Sequence, residues 1–396
     1  MSNKGKIYIL AMISFLVGTA QYVISGILDK MAEVLGISIE AAGQLITVYS
    51  LTYAIGTPIL MAMFAKIERR KLLLISLSVF IIGNLLAVIA PGYGVFMIAR
   101  IIMALSAGVT VVTVLSLAAK IAPADKKASS IATVVMGFTA SLIIGVPIGR
   151  FITAAYDWKF VFLGVAILVL ISLAIIIKTI PQSHGNLPIP LVKQVAMIKQ
   201  PKIALALSIT FFLMSGYGII FTYLSPYLIK TTGISDQVLS FALLILGIAS
   251  LFGSKFGGFS ADKWGITITL KRGLVLNILS SILLAFISSP INIVMIILAI
   301  WSFSGWSSGA TQQFNLATIS PKSSDVLLGL NQSMMQLGFA FGAAIGGLVV
   351  SQWSISSITW IGSIPVLIAL MITFGLSRYL SNEKKAGQNL VTQIRA

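Results

Sequence analysis

The chain has 396 residues, of which 58% are apolar and only 9% charged, with a formal net charge of +17, one histidine and no cysteine. A soluble domain carries about 25% charged residues, so the composition and the mean hydropathy of +1.03 exclude an ordinary water-soluble protein. Disulfides, thiolate chemistry and a His/Cys metal centre are excluded too. The positive charge would suit nucleic acid, but its placement along the chain assigns it elsewhere.

Apolar runs of about 18 residues or more are membrane-span candidates, and they recur throughout. Span 1 is predicted at Ile7 to Leu28, after the short basic start Met1 to Lys6, and reads as a retained span rather than a cleaved leader. Span 2 covers Ala42 to Met63 and precedes Lys66, Arg69, Arg70 and Lys71. Span 3 runs from Leu72 to Ile89, span 4 from Val95 to Ala118, span 5 from Ser130 to Ala154 and span 6 from Phe160 to Ile177. A polar stretch with four prolines, Lys178 to Lys202, follows; within it Leu191 to Gln200 suits a short interfacial helix or a loop. Spans 7 to 12 are predicted at Ile203–Leu224, Gln237–Gly257, Gly273–Ser289, Ile291–Ala317, Val326–Val350 and Ile358–Leu376, before a polar, frayed tail.

A chain offset of 197 residues relates the two parts. Gly258 to Gly265 (G-F-S-A-D-K-W-G) has a worn copy at Met61 to Glu68, with Asp262 on Ala65, Lys263 on Lys66 and Gly265 on Glu68. The same offset carries Gly145 onto Gly342 and Gly149 onto Gly346. Two related six-span halves are expected, 1–177 and 203–378, joined by 178–202 and followed by a tail at 379–396. With the N-terminus inside, inner segments hold 21 Lys and Arg and outer segments three. That is the positive-inside pattern. It places both termini in the cytoplasm of a cell that carries this protein in its cytoplasmic membrane. The lysines then face anionic lipid headgroups, and no nucleic acid is required.

Small residues four apart let helices approach closely, and Pro147 removes a backbone donor. The stripe Gly137, Gly145, Pro147, Gly149 and its partner Gly338, Gly342, Gly346 are expected to pack, with the repetition favouring surfaces that slide or rock. Arg100 is read as bonding internally to carbonyls or ligand, against snorkelling. Arg150 is read as snorkelling outward, and Lys255 as a snorkelling lysine or a gate contact beside Asp262. None of the ten acids sits mid-span; Asp29, at the outer end of span 1, is the nearest candidate for a proton site. Gln21, Tyr22, Tyr49, Tyr53, Arg100, Tyr217, Trp301, Gln312, Asn315 and Gln336 are the candidate ligand contacts, since amides and aromatic hydroxyls in lipid must face protein or cavity. Tyr223, Trp306 and Asn331 belong to the same polar and aromatic set.

The chain resembles the major facilitator superfamily, and more narrowly the bacterial drug:H+ antiporter-1 family of purine, sugar and multidrug efflux permeases. The residues that carry the likeness are Gly258, Asp262, Lys263 and Gly265, the worn Met61, Ala65, Lys66, Glu68, Arg69 and Arg70, the span 4 Arg100, and the G-x-P at Gly145, Pro147 and Gly149. Ala42 to Ser50 and the run from Asn331 are similar to this group too. The resemblance implies an all-α fold of twelve spans in two pseudo-symmetric halves. It also implies export of small organic solutes or drugs by alternating access, coupled to protons, with no cofactor and a functional monomer. In that family the loop signature locks the inner face. Here Lys66, Glu68, Arg69, Asp262 and Lys263 stand in those positions, and Asp262 would carry the lock most. The chain departs at Gln21, where many relatives have a glutamate, at Asp29, where they have a proline, and at Ala65. A narrow purine, nucleoside or sugar exporter and an uncoupled uniporter remain alternatives, with a membrane sensor or a lipid scramblase as the reading from another class.

Overall fold

The computed structural model describes residues 2–123, 127–182, 196–286, 290–320 and 324–395, with backbone alone at 127–128, 324–325 and 382–395. In the first half, α1 is Asn3–Gly26, α2 Leu28–Leu35, α3 Ile39–Met63, α4 Arg69–Ile89 and α5 Tyr93–Ile121. Then come α6 (Lys127–Ala140), a π-helical turn (Ser141–Gly145), α7 (Val146–Ala155) and α8 (Lys159–Thr179). In the second half, α9 is Pro201–Thr222, α10 Leu224–Thr232, α11 Asp236–Trp264, α12 Ile266–Phe286, α13 Ile291–Ile319, α14 Ser324–Gln352 and α15 Ser357–Arg395. Among the described residues twelve helices are long and apolar enough to cross a membrane, with α6, the π turn and α7 counting as one. A spanning helix satisfies its own backbone, which hydrocarbon requires. Side chains such as Ile82, Phe151, Phe252 and Leu348 are exposed and form the lipid-facing surface.

Twelve crossings put the two ends of the chain on one face, here called the terminal face; the other is the distal face. Helices α1–α8 form one bundle and α9–α15 a second. The bundles meet through α3 against α14 and through the π turn and α7 against α11. That is one packing used twice, since the 197-residue offset exchanges the members of the two pairs.

The distal turns repeat as well. Gly36 and Gly233 end α2 and α10 with φ of 61° and 65°, the left-handed region that glycine enters without a Cβ penalty. Two residues on, Ser38 and Ser235 cap α3 and α11, accepting from Ala41 N at 3.2 Å and Val238 N at 3.4 Å. Both turns read Gly-Ile-Ser, at the 197-residue offset.

Several expectations are corrected. The polar stretch Gly258 to Gly265 is not a break after a span: α11 continues to Trp264 and stops at Gly265, with φ of 88°. A helix needs only its backbone bonded, so polar side chains at its end do not halt it. Spans 1 and 7 each break near their distal ends, at Ile27 and Tyr223, and a short second helix follows. The tail is helical through Arg395 instead of frayed. Residues 191–195 of the expected interfacial helix, and His184, lie outside the described residues.

Gly145, Gly149, Gly342 and Gly346 face inward in their own bundles, while Gly347 of the same run meets α3 across the seam. A Cβ on Gly145 would meet Thr19 Cβ at 3.0 Å, and one on Gly149 would run into Val23, both on α1. One on Gly342 would meet Ser215 C and Ile219 N of α9 at 2.9 Å, and one on Gly346 the Tyr223 ring at 2.7 Å. These four glycines therefore let α1 pack closely in the first bundle and α9 in the second. Pro147 has no N–H for the Ile143 carbonyl, and the turn widens so that Val146 N–H reaches Ser141 O. A Cβ at Gly247 of α11 would meet the Ile143 backbone N at 3.0 Å, so the two bundles touch at this widened turn. Gly342→Val is expected to cost about 1–3 kcal/mol by overpacking backbone. Gly375→Val is the control, since a Cβ there meets nothing within 4 Å; denaturant unfolding of the solubilised protein compares the two.

Candidate functional site

Most of the candidate contacts converge at mid-seam. Gln21 on α1 and Gln336 on α14 are both buried, and Gln21 Nε2 donates to Gln336 Oε1 at 3.2 Å across the bundles. Gln21 Oε1 and Gln336 Nε2 have no hydrogen-bond partner. Beside them Tyr22 meets Phe221 and Phe339 of the second bundle edge-on, with ring centroids 6.3 and 6.2 Å apart, and Phe138 of its own at 5.7 Å. Such edge-to-face pairs hold aromatic groups in place.

Arg100, fully buried on α5, ties α1 and α3 together. Its Nη1 donates to Ala20 O at 2.7 Å, its Nη2 to Gln21 O at 3.3 Å and its Nε to Leu45 O at 3.5 Å. The guanidinium stands 4.0 Å over the centre of the Tyr49 ring, a cation–π contact. Of the two readings open in the sequence, the structure shows the carbonyl-bonded one. Tyr49 and Tyr53 are buried on α3.

In the second bundle Tyr217 stacks on Trp301 at 4.9 Å and 5°, and on Phe221 at 5.1 Å. Trp306 Nε1 donates to Tyr217 Oη at 3.3 Å. Gln312 and Asn315 stand apart, nearer the terminal face. Asn315 donates to Gln312 Oε1 at 3.0 Å, and Gln312 donates to Ala206 O. Thr210 donates to Asn331 Oδ1 at 2.6 Å. These amides brace α9 against α13 and α14 and do not join the central group.

Arg150 corrects its sequence reading. It is fully buried and does not snorkel: Nη1 donates to Asp29 Oδ1 at 2.5 Å and to Gly26 O at 3.3 Å, and Nη2 donates to Asp236 Oδ1. Asp29 belongs to the first bundle and Asp236 to the first turn of α11, so one guanidinium bridges the seam at the distal face. A short snorkelling path was open to it, but two carboxylates and a carbonyl in reach offer more than headgroup water. Around it Ser225 Oγ donates to Ser25 O at 2.8 Å, and Tyr223 Oη, bonded to Ala343 O at 3.0 Å, fills the space a Cβ on Gly43 would need. A Cβ on Gly347 would lie 3.4 Å from Gln44 Nε2. Every cross-bundle contact named here lies in the distal half of the membrane or at its middle.

On the terminal face Glu68 caps α4, accepting from Arg70 N and Lys71 N, each at 2.8 Å. Arg70 donates to Ile177 O within the same bundle. Arg69 is buried there, with Nε and Nη1 unpaired. Lys66, Asp262 and Lys263 are exposed, and no ion pair joins Asp262 to another described residue. Lys255 is exposed on the surface that carries Phe252 and Phe259, as a snorkelling lysine would be.

Sequence reasoning missed Asp236 and the Phe138, Phe221 and Phe339 edges. Nothing in a single chain ties Asp236 to an arginine 86 residues away. The repeated Gly-Ile-Ser would have marked the distal turns that bring Asp29 and Asp236 together.

Two six-span bundles, meeting at a polar seam and bridged at one face, define a membrane carrier of small solutes rather than an enzyme. The Major Facilitator Superfamily matches residues 10–326, and the chain belongs to that family. It is 56% identical over 371 residues to an uncharacterized MFS-type transporter, YbcL, of Bacillus subtilis (strain 168), covering 94% of this chain and 95% of that one. It is 28% identical to the inner membrane transport protein YdhP of Escherichia coli (strain K12), covering 93% and 95%. Among solved structures it is similar in fold to a bacterial homolog of the human lysosomal transporter Spinster, inward-facing and unoccupied. That match has a TM-score of 0.80 and 16% identity, covering 95% and 97%. A D-xylose-proton symporter gives a TM-score of 0.78 at 17% identity, covering 93% and 96%.

Proposed function

We propose that this protein exports small organic solutes across the cytoplasmic membrane, with both termini in the cytoplasm and one chain as the working unit. The carrying observation is the Arg150 bridge: it closes the distal face between the bundles, while Gln21, Gln336 and the aromatic groups sit at the seam below it. The excess of Lys and Arg in terminal-face segments supports a cytoplasmic terminal face. On that reading the structure is the inward-facing form, as in the solved homolog of Spinster. The likeness to drug:H+ efflux permeases supports export, and the inner membrane protein YdhP supports the location. A narrower purine, nucleoside or sugar exporter uses the same geometry.

A second reading adds proton coupling, because Arg150 faces two carboxylates with one positive charge. Asp29→Asn would remove one of the two negative charges that Arg150 holds across the seam. Gln21 carries no titratable group for this task. The experiment is solute flux in proteoliposomes with and without a pH gradient. Flux of at least one solute from the terminal side is expected. In a gradient-driven flux, Asp29→Asn should flatten the pH dependence. No flux under any condition sinks the export reading, and an unaltered pH profile in Asp29→Asn removes Asp29 from coupling.

A further inference from the structure

We infer that the Gln21–Gln336 amide pair is the specificity element of the transport site. It selects a neutral ligand with a hydrogen-bond donor and an acceptor side by side, the edge of a carboxamide or lactam, on a flat body. This assignment rests on the carrier reading above and names its substrate class.

The two side chains come from opposite bundles, are each 3% exposed, and share one bond of 3.2 Å. That length is at the long end of the ordinary range of about 2.7–3.2 Å. Each amide also keeps a buried atom with no partner, the acceptor Gln21 Oε1 and the donor Gln336 Nε2. Buried polar groups are normally satisfied, and two orphans on one interbundle pair mark a place that something else completes. Amide oxygen and nitrogen are assigned from the bonding network. Reversing both amides still leaves one donor and one acceptor. An amide edge reads a donor–acceptor pair on its ligand, as glutamine does at a nucleobase edge.

Charge supports neutrality. None of the ten acids lies within the middle of a span, and Asp29 and Asp236 at the distal end of the seam are held by Arg150, so a cationic ligand beside the amides finds no free counter-ion at mid-seam. The one arginine nearby, Arg100, already gives three of its five N–H groups to backbone carbonyls and its face to Tyr49, so its charge is largely engaged within the first bundle. A cation would pay desolvation with nothing in return, and an anion would have only the remaining Arg100 N–H groups to offset it. The Tyr22, Phe221 and Phe339 rings beside the amides supply apolar walls for a flat body. Because the pair spans the seam, a ligand that takes over their bonding exchanges a direct link between bundles for one through itself.

The test uses three probes that share a phenyl ring and differ in charge: benzamide, benzoate and benzyltrimethylammonium. Equilibrium dialysis against the purified full chain measures binding, and liposome uptake measures transport. Benzamide is expected to bind at least about tenfold tighter than either ion. The double variant Gln21→Leu/Gln336→Leu should lose that preference, since both amides go and neither is left unpaired. Gln336→Glu, which keeps the shape and adds a charge, should move the preference to benzyltrimethylammonium. The proposal is overturned if benzamide does not bind, if an ion binds as tightly, or if both variants keep the wild-type order. Benzamide bound through the amides but never transported contradicts the carrier reading and leaves the assignment. Benzamide transported by the double variant at the wild-type rate contradicts the assignment and leaves the carrier reading.

Discussion

Arg150→Met is expected to open the distal face. The guanidinium is fully buried, while the Asp29 and Asp236 side chains are 19% and 36% exposed. Breaking a fully buried pair costs about 3–5 kcal/mol, but half-wetted carboxylates are screened. A bias of about 1–3 kcal/mol on the two-state equilibrium, a factor of about 5–150, is the expected scale. The loss is larger than the bond alone, because the variant leaves two carboxylates facing each other across the seam. The chain has no cysteine, so spin labels at Val34→Cys and Lys230→Cys, one in each bundle at the distal face, report on nothing else. The distance between them should lengthen in Arg150→Met. Arg150→Lys should fall between the two, since an ammonium cannot match two carboxylates with a planar fork. An unchanged distance distribution in Arg150→Met would show that Tyr223, Ser225 and the packing around them close this face without the bridge.

Arg100→Lys is expected to lower transport at least about tenfold, although the charge is kept. Arg100 reaches Ala20 and Gln21 on α1 and Leu45 on α3, three points that a single ammonium cannot span. Hydrogen bonds to a charged group are worth about 1.5–3 kcal/mol each, and two of the three would go, with the stacking on Tyr49. Because one bond ends on the carbonyl of Gln21 itself, its loss shifts the residue whose side chain joins the two bundles. Initial flux in proteoliposomes, normalised to folded protein, checks this. Full flux in Arg100→Lys would reduce Arg100 to a buried charge with no bearing on the site.

The spans were legible because each must be apolar over its whole length, and the 197-residue offset revealed two halves. Their ends were less so. A helix stops where its backbone bonding stops, so α11 runs through the polar Gly258–Trp264 and yields only at Gly265. Arg100 and the two glutamines stood out as polar residues in lipid. Which of them meet was not readable, because Gln21 and Gln336 are 315 residues apart and Gln312 and Asn315, equally polar, bond to each other. Arg150 was misread for the same reason: one sequence shows its distance from the span end, while the two carboxylates that hold it come from other helices. The glycine stripes signalled close packing correctly, but which neighbour they approach is a tertiary fact.

Two distances measured on one protein test the central claim, that the bundles rock about the seam to carry a solute. Labels at Val34→Cys and Lys230→Cys report the distal face, and labels at Lys71→Cys and Lys263→Cys report the terminal face. With a transported solute present, the distal distance should lengthen in the same fraction of molecules in which the terminal distance shortens. Both faces widening together, or neither responding to a solute that the protein demonstrably moves, would contradict alternating access through this seam.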